Sequence, residues 1–212
     1  METTTTSPLN GRRAQAARNN QLILDAARAV FTADPGAPIA AVAERAGVGM
    51  SALYRRYRSK DELLQRLSLD GMLRYIAEAE AALANEGDAW TAFVRFMRHC
   101  LDSGTGSLTV RFVGSFTATE ELNRAGRTGY EVTQRLLDRT KAAGALRADI
   151  EVGDISLIFE QLQAVNAGDP RRASELRHRY LTLLLDGLHM ASGAPLPGPP
   201  PRWEEISGRY TT

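Results

Sequence analysis

Arg55, Arg56, Arg58 and Lys60 place four cations within six residues. Such side chains gain affinity for a polyanion by displacing counterions from phosphates, a contact that fixes register but reads no sequence. Beside them, Met50, Ser51, Tyr54 and Arg55 set an apolar tip, a hydroxyl, a phenol and a guanidinium at helical spacing. On a short second helix of a helix-turn-helix these would face outward, near the N-terminal end that such a motif inserts into the major groove. Lys60 also stands where a new helix is predicted to begin, and the unpaired N–H groups there add a seat for a phosphate oxygen. Read alone, the same run equally describes a solvated basic helix end.

Other reactive side chains do not assemble. His99 and Cys100 are neighbours on a predicted helix, so they point about 100° apart and cannot pair as base and nucleophile. His178 and His189 are eleven apart and can share a face, but no carboxylate or cysteine completes a metal-ligand pattern. No glycine-rich phosphate loop is present. Neither enzymatic activity nor a cofactor is expected. The single cysteine, Cys100, excludes an internal disulfide and fits a reducing compartment. The N-terminal segment is polar, without a secretory core, and no apolar run approaches the roughly 20 residues of a membrane helix. A cytoplasmic chain with no membrane attachment is the expectation.

The elements that must position these residues are helical. Leu22, Ile23, Ala26, Ala27, Val30 and Phe31 trace one helical face, which Asp34-Pro35-Gly36 ends. A short helix is predicted from about Pro38 to Arg45, with Gly47 free to take positive φ just beyond it. A second runs from about Met50 to Arg56. Two helices this short need a third behind them, and Val42, Ala43, Ala46 and Leu53 would close that core. Ser59-Lys60-Asp61-Glu62 reads as a capping box opening a long helix, about 60–84. Further helices are expected at about 88–102, 107–115, 118–143, 152–166 and 170–191, with Asp169-Pro170 starting the last. The run Ser107 to Phe116 fits a short buried helix better than a strand. The fold class is therefore all-α, a three-helix helix-turn-helix domain followed by a larger helical domain. Its parts are a flexible arm over 1–17, the helix-turn-helix domain over 18–64, the larger helical domain over 65–191, and a proline-rich tail over 192–212 that is expected to be extended or disordered rather than helical. Charge follows the same division: residues 1–66 carry a net +4 and residues 67–212 a net −3. A basic head on a mildly acidic body suits a DNA-reading module joined to something else.

Three stretches carry a resemblance: Ile23-Leu24-Asp25-Ala26-Ala27 to Phe31; Ile39 with Val42-Ala43-Glu44-Arg45-Ala46-Gly47-Val48; and Ala52-Leu53-Tyr54-Arg55-Arg56-Tyr57-Arg58-Ser59-Lys60-Asp61-Glu62-Leu63-Leu64. In order and spacing, about residues 18–67 resemble the DNA-binding domain of TetR family regulators. The resemblance implies a dimeric repressor whose N-terminal domains each read a half-site, with a ligand in the C-terminal domain changing the distance between heads. It implies phosphate contacts for Tyr54 and Lys60, base-edge positions at Gly49, Met50, Ser51 and Arg55, and at Tyr57 an aromatic that packs beside the recognition helix and can also touch the DNA backbone, so that all seven are expected to bind DNA. Gly49 replaces the family's usual Ser or Thr, Ser51-Ala52 replaces Gly-Thr, and Pro38-Ile39-Ala40 replaces hydroxyl residues. Arg55, Arg56 or Arg58 is expected to compensate. Gly11-Arg12-Arg13 and Arg18 read as a basic arm able to reach a groove, or as a plain polar tail.

For the body, Trp90, Phe93, Met97 and Cys100 fall on one helical face. With Phe112, Phe116, Tyr130, Leu137, Phe159 and Gln163 they are candidates to line a ligand cavity; ordinary core packing is the competing reading. Residues 144–155 resemble the segment that many TetR proteins place before their dimerising helices. That resemblance implies that 152–166 and 170–191 pair with their symmetry mates through Leu176, Tyr180, Leu183, Leu184 and Leu188. The partners expected are palindromic operator DNA, an unknown small-molecule effector and a second copy of the chain. Helix 60–84 would link cavity to head. The competing class is a small-molecule-binding all-α protein whose head no longer reads sequence, motivated by the hydroxyls missing at Gly49 and Ala52.

Overall fold

The computed structural model describes residues 8–34, 36–105, 116–189 and 194–207. Among these the helices are α1 (Pro8–Ala33), α2 (Ile39–Ala46), α3 (Met50–Arg56), α4 (Lys60–Ala84), α5 (Ala89–Ser103), α6 (Glu120–Ala142), α7 (Val152–Ala164), α8 (Pro170–Leu188) and α9 (Trp203–Ser207). The only β pairing among the described residues is an isolated antiparallel bridge between Leu146 and His189. The chain forms two compact units, Met1–Leu67 and Ser68–Thr212, and passes from one to the other inside α4. The helix expected at 107–115 lies outside the described residues.

In the first unit, Ile23, Leu24, Ala26, Ala27 and Phe31 of α1 are buried with Val42 and Ala43 of α2 and Leu53 of α3. The opening residues of α4 add Leu63, Leu64 and Leu67, each almost fully buried. Gly47 ends α2 at φ +65°, where a Cβ would strain the backbone. Its N–H donates to Glu44 O at 3.1 Å and that of Val48 to Ala43 O at 3.0 Å, satisfying the last carbonyls of the helix. α1 starts at Pro8, well before the apolar stripe. Residues 8–17 are thus helical where a flexible arm was expected. Apolar periodicity cannot register such a stretch, although Pro8 suits a first turn and its alanines, arginines and glutamine favour helix.

The second unit is built on one apolar cluster drawn from α4 to α8. Phe93, Phe96, Met97 and Phe159 are fully buried, and the ring centroids of Phe96 and Phe159 stand 6.5 Å apart, edge to face. Gly129 brings α6 close to α4, for a Cβ there would meet Met72 Sδ at 2.9 Å. Asp88, Thr119 and Asp169 cap α5, α6 and α8, each accepting from a backbone N–H three residues on. The guanidinium of Arg139 donates to the carbonyls of Ala82, Leu83, Asn85 and Gly87, closing the C-terminal end of α4.

The proline-rich tail departs from expectation. Residues 194–202 are non-helical, with a bend at Pro197-Gly198 where Gly198 takes φ +78°, but Trp203–Ser207 turns back into helix, and Ile206 is buried. Beyond Pro201 no proline blocks the backbone. Glu204 and Glu205 favour the first turn, and the Glu205 carboxylate accepts from the Arg202 N–H at 2.6 Å. Pro201 lies so close to Gly153 that a Cβ there would stand 2.3 Å from the Pro201 carbonyl oxygen. No described helix is long and apolar enough to cross a membrane.

Candidate nucleic-acid interface

α3 has one buried face and one open one. Leu53 is fully buried, whereas Gly49, Met50, Ser51, Tyr54 and Arg55 are all exposed. Met50 and Tyr54 are large apolar side chains 37% and 47% exposed, side by side on one short helix. The base-edge set expected from the sequence is therefore gathered on a single surface, with the aromatic hydroxyl of Tyr54 beside it. Gly49 is the N-cap of α3 and Pro38 that of α2, and neither supplies a side-chain cap. The first N–H groups of both helices thus have no side-chain cap, and the third of each bonds to the cap carbonyl, Ala41 to Pro38 O and Ala52 to Gly49 O.

Tyr57 and Lys60 are placed differently. Tyr57 is 3% exposed, and its hydroxyl donates to the Asn20 side-chain oxygen at 2.6 Å. Its ring is a packing element, with no surface to offer a duplex. The Lys60 ammonium is half-buried and donates to Ala37 O at 2.8 Å. The capping box forms in part: Ser59 Oγ accepts from the Glu62 N–H at 3.1 Å. The Glu62 carboxylate, however, accepts from the Arg58 N–H at 2.7 Å, one residue before the expected donor.

Sequence reasoning missed Asn20. Lying on α1, it accepts from Tyr57 Oη and also from Arg56 Nε at 2.9 Å. Nothing local marks it, since its partners lie 36 and 37 residues away. Arg18 is exposed and bonded to Gln15 within α1. Arg12 and Arg13 lie on the same helix.

In the second unit, Phe93, Met97, Cys100 and Phe159 are buried in the apolar cluster, with Gln163 at 9% exposure. Phe116 and Tyr130 are half-buried against it, and Phe112 lies outside the described residues. Tyr130 meets Trp203 edge to face at 5.0 Å. Two members of the aromatic group were missed. Phe96 sits one turn from Phe93, and Tyr75 of α4 contacts both Phe96, at 5.3 Å, and Phe159, at 6.4 Å. Tyr75 Oη and Thr133 Oγ1 are hydrogen-bonded at 2.8 Å, and Thr133 donates to Gly129 O at 2.7 Å. Burial pushes the Tyr75 phenol well above its ordinary pKa. Burial likewise pushes the Cys100 thiol up, only partly offset by its bond to Thr105, so it stays protonated. Ser68 is fully buried, and its hydroxyl finds no partner among the described residues.

The histidines are each engaged singly. His99 Nδ1 is 3.0 Å from Glu78, His178 Nε2 is 2.6 Å from Asp102, and His189 stacks on Trp90 at 4.2 Å. No group of three potential metal ligands occurs among the described residues.

Residues 23–67 match the family model described as bacterial regulatory proteins, tetR family. Residues 86–190 match that of the transcriptional regulator SbtR-like C-terminal domain. The chain is 32% identical over 176 residues to the HTH-type transcriptional repressor LfrR of Mycolicibacterium smegmatis, covering 81% of this chain and 90% of that protein. Among solved structures, it is similar to the TetR-like regulator LfrR from Mycobacterium smegmatis in complex with proflavine. That similarity has a TM-score of 0.60 and 26% identity, over 79% of this chain and 96% of the other. The TetR transcription regulatory protein from Mycobacterium vanbaalenii aligns with a TM-score of 0.58 and 27% identity, over 84% and 99% of the two chains.

Proposed function

The chain belongs to the TetR family of bacterial regulatory proteins, and from that premise we propose that it represses transcription as a dimer on a palindromic operator, released by a small-molecule effector. The observation that carries the reading is the open face of α3, where Met50, Ser51, Tyr54 and Arg55 stand exposed opposite the buried Leu53. A helix held this way offers its first turn to the major groove. Met50 suits a thymine methyl, Arg55 a guanine edge or a phosphate, and the Tyr54 hydroxyl a phosphate oxygen. The DNA-binding part corresponds to residues 18–64 and the effector and dimer part to 65–191.

A second copy would pair through α8. Tyr180 and Leu183 are 47% and 56% exposed on that helix, and a Cβ on Gly187, one turn further, would meet nothing. Leu176 begins the same stripe, whereas Leu188 is buried within the subunit. Two-fold symmetry would set the heads on half-sites ~34–36 Å apart or a multiple of that.

The effector would lodge among the aromatic rings of the second unit. Phe93, Phe96 and Phe159 give apolar faces, and the Tyr75 hydroxyl, on a ring that meets Phe96 and Phe159, is a polar group beside them. The proflavine complex of a relative supports an organic, ring-bearing effector. To release DNA a hundredfold, that molecule must favour the non-binding state by about 2.7 kcal/mol. The protein acts in the cytoplasm on this reading, with DNA and effector as its partners and no catalytic step of its own.

The test is selection of bound duplexes from a random pool. Enrichment of a palindrome, lost when Leu183→Glu makes the protein monomeric, supports the reading. Absence of enrichment from folded, dimeric protein favours the alternative of a ligand-binding protein with a silent head.

A further inference from the structure

Asn20 gathers two donors from the far side of the helix-turn-helix. Its side-chain oxygen accepts from Tyr57 Oη at 2.6 Å and from Arg56 Nε at 2.9 Å. Tyr57 is buried, so this anchor is fixed to the core of the first unit. Arg56 is exposed and is the last residue of α3. Only its Nε is engaged by Asn20, and its terminal nitrogens make no hydrogen bond to a described residue. A guanidinium is planar, so a bond at Nε sets the plane and direction of the two outer NH2 groups. An arginine held this way has already given up much of the rotamer freedom that phosphate binding would otherwise cost.

We infer that Asn20 is a positioning residue for DNA binding, holding the Arg56 guanidinium ready to clamp a phosphate at the C-terminal end of α3. The inference rests on the proposed reading of α3 and adds a residue outside the helix-turn-helix. It also assigns the compensation for the missing hydroxyls: a phosphate grip lost at the starts of α2 and α3 is recovered at the end of α3. Because the grip is on the backbone, it acts on every sequence alike.

The experiment measures duplex affinity across a salt series for wild type, Asn20→Ala, Arg56→Ala and the double variant, with thermal melting of each. Alanine is a good helix former and Asn20 is only half-buried, so Asn20→Ala folds. Arg56→Ala should flatten the slope of log K against log salt by about 0.9. Asn20→Ala should weaken binding roughly three- to ten-fold, by the same factor on operator and on unrelated duplex. It should have no further effect once Arg56 is alanine. A melting shift with unchanged affinity and slope, or an Asn20→Ala loss that persists undiminished in Arg56→Ala, overturns the inference. If wild type binds unrelated duplex but selects no operator, the regulatory reading fails, while the cycle on unrelated duplex still decides Asn20. Wild type that binds no duplex overturns both.

Discussion

The Lys60 ammonium donates to the Ala37 carbonyl oxygen at 2.8 Å and stands 5.0 Å from the centroid of the Phe31 ring. One cation thus ties the first residue of α4 to the turn before α2 and to the end of α1. The position that the resemblance assigns to phosphate binding is therefore also a joint of the first unit. Lys60→Met should lower unfolding stability by about 1–2 kcal/mol, read by urea denaturation, and should weaken DNA binding as well. Unchanged stability with weakened binding would show that the tie contributes nothing to the fold.

Gly49 has ordinary backbone angles, φ −68° and ψ 146°, and the nearest atom to a Cβ placed there would be Ser51 Oγ at 3.9 Å. A side chain is therefore accommodated. Gly49→Ser should stabilise the protein by about 0.5–1 kcal/mol, by capping α3 and by narrowing the unfolded ensemble. It should also tighten operator binding through a restored hydroxyl. Thermal melting and a binding titration check the two effects separately, and a lowered melting temperature would contradict the geometry.

Arg139 reaches back to carbonyls at the end of α4, more than 50 residues away in sequence. Its two terminal nitrogens spread over four carbonyls, a reach that the single nitrogen of a lysine does not match. Arg139→Lys, though it keeps the charge, should cost about 1–3 kcal/mol of stability, seen in the unfolding of the second unit. A neutral result would mean that water caps these carbonyls equally well.

Cys100 is fully buried with its thiol pKa raised by that burial, so burial both suppresses the thiolate and blocks access to it. A disulfide reagent should label it no faster than the protein opens, and should react at once in denaturant. Prompt labelling of the native protein would place the thiol in an accessible, electropositive setting, contrary to the structure.

What was legible in the sequence was local. Gly47 past α2, Asp169-Pro170 before α8 and Ser59 before Glu62 each announce a helix end through a few neighbouring residues. The alternation of buried Leu53 with exposed Met50, Ser51, Tyr54 and Arg55 was readable because helical period alone sorts them. Contacts across the fold were not. Asn20 meets Arg56 and Tyr57, and Arg139 meets α4, over separations that no periodicity encodes. The early start of α1 carried no apolar stripe. In the tail, the proline rule that holds for 194–202 was carried past Pro201, and so hid the helix that Trp203 and Ile206 anchor.

The central claim is that α3 reads sequence, and the most direct measurement is the ratio of affinities for a selected palindrome and a scrambled duplex at one physiological salt concentration. A ratio of roughly 10³ or more, reduced by Arg55→Ala or Met50→Ala more than by Arg56→Ala, is the predicted result. A ratio near one, from dimeric and folded protein, would contradict it.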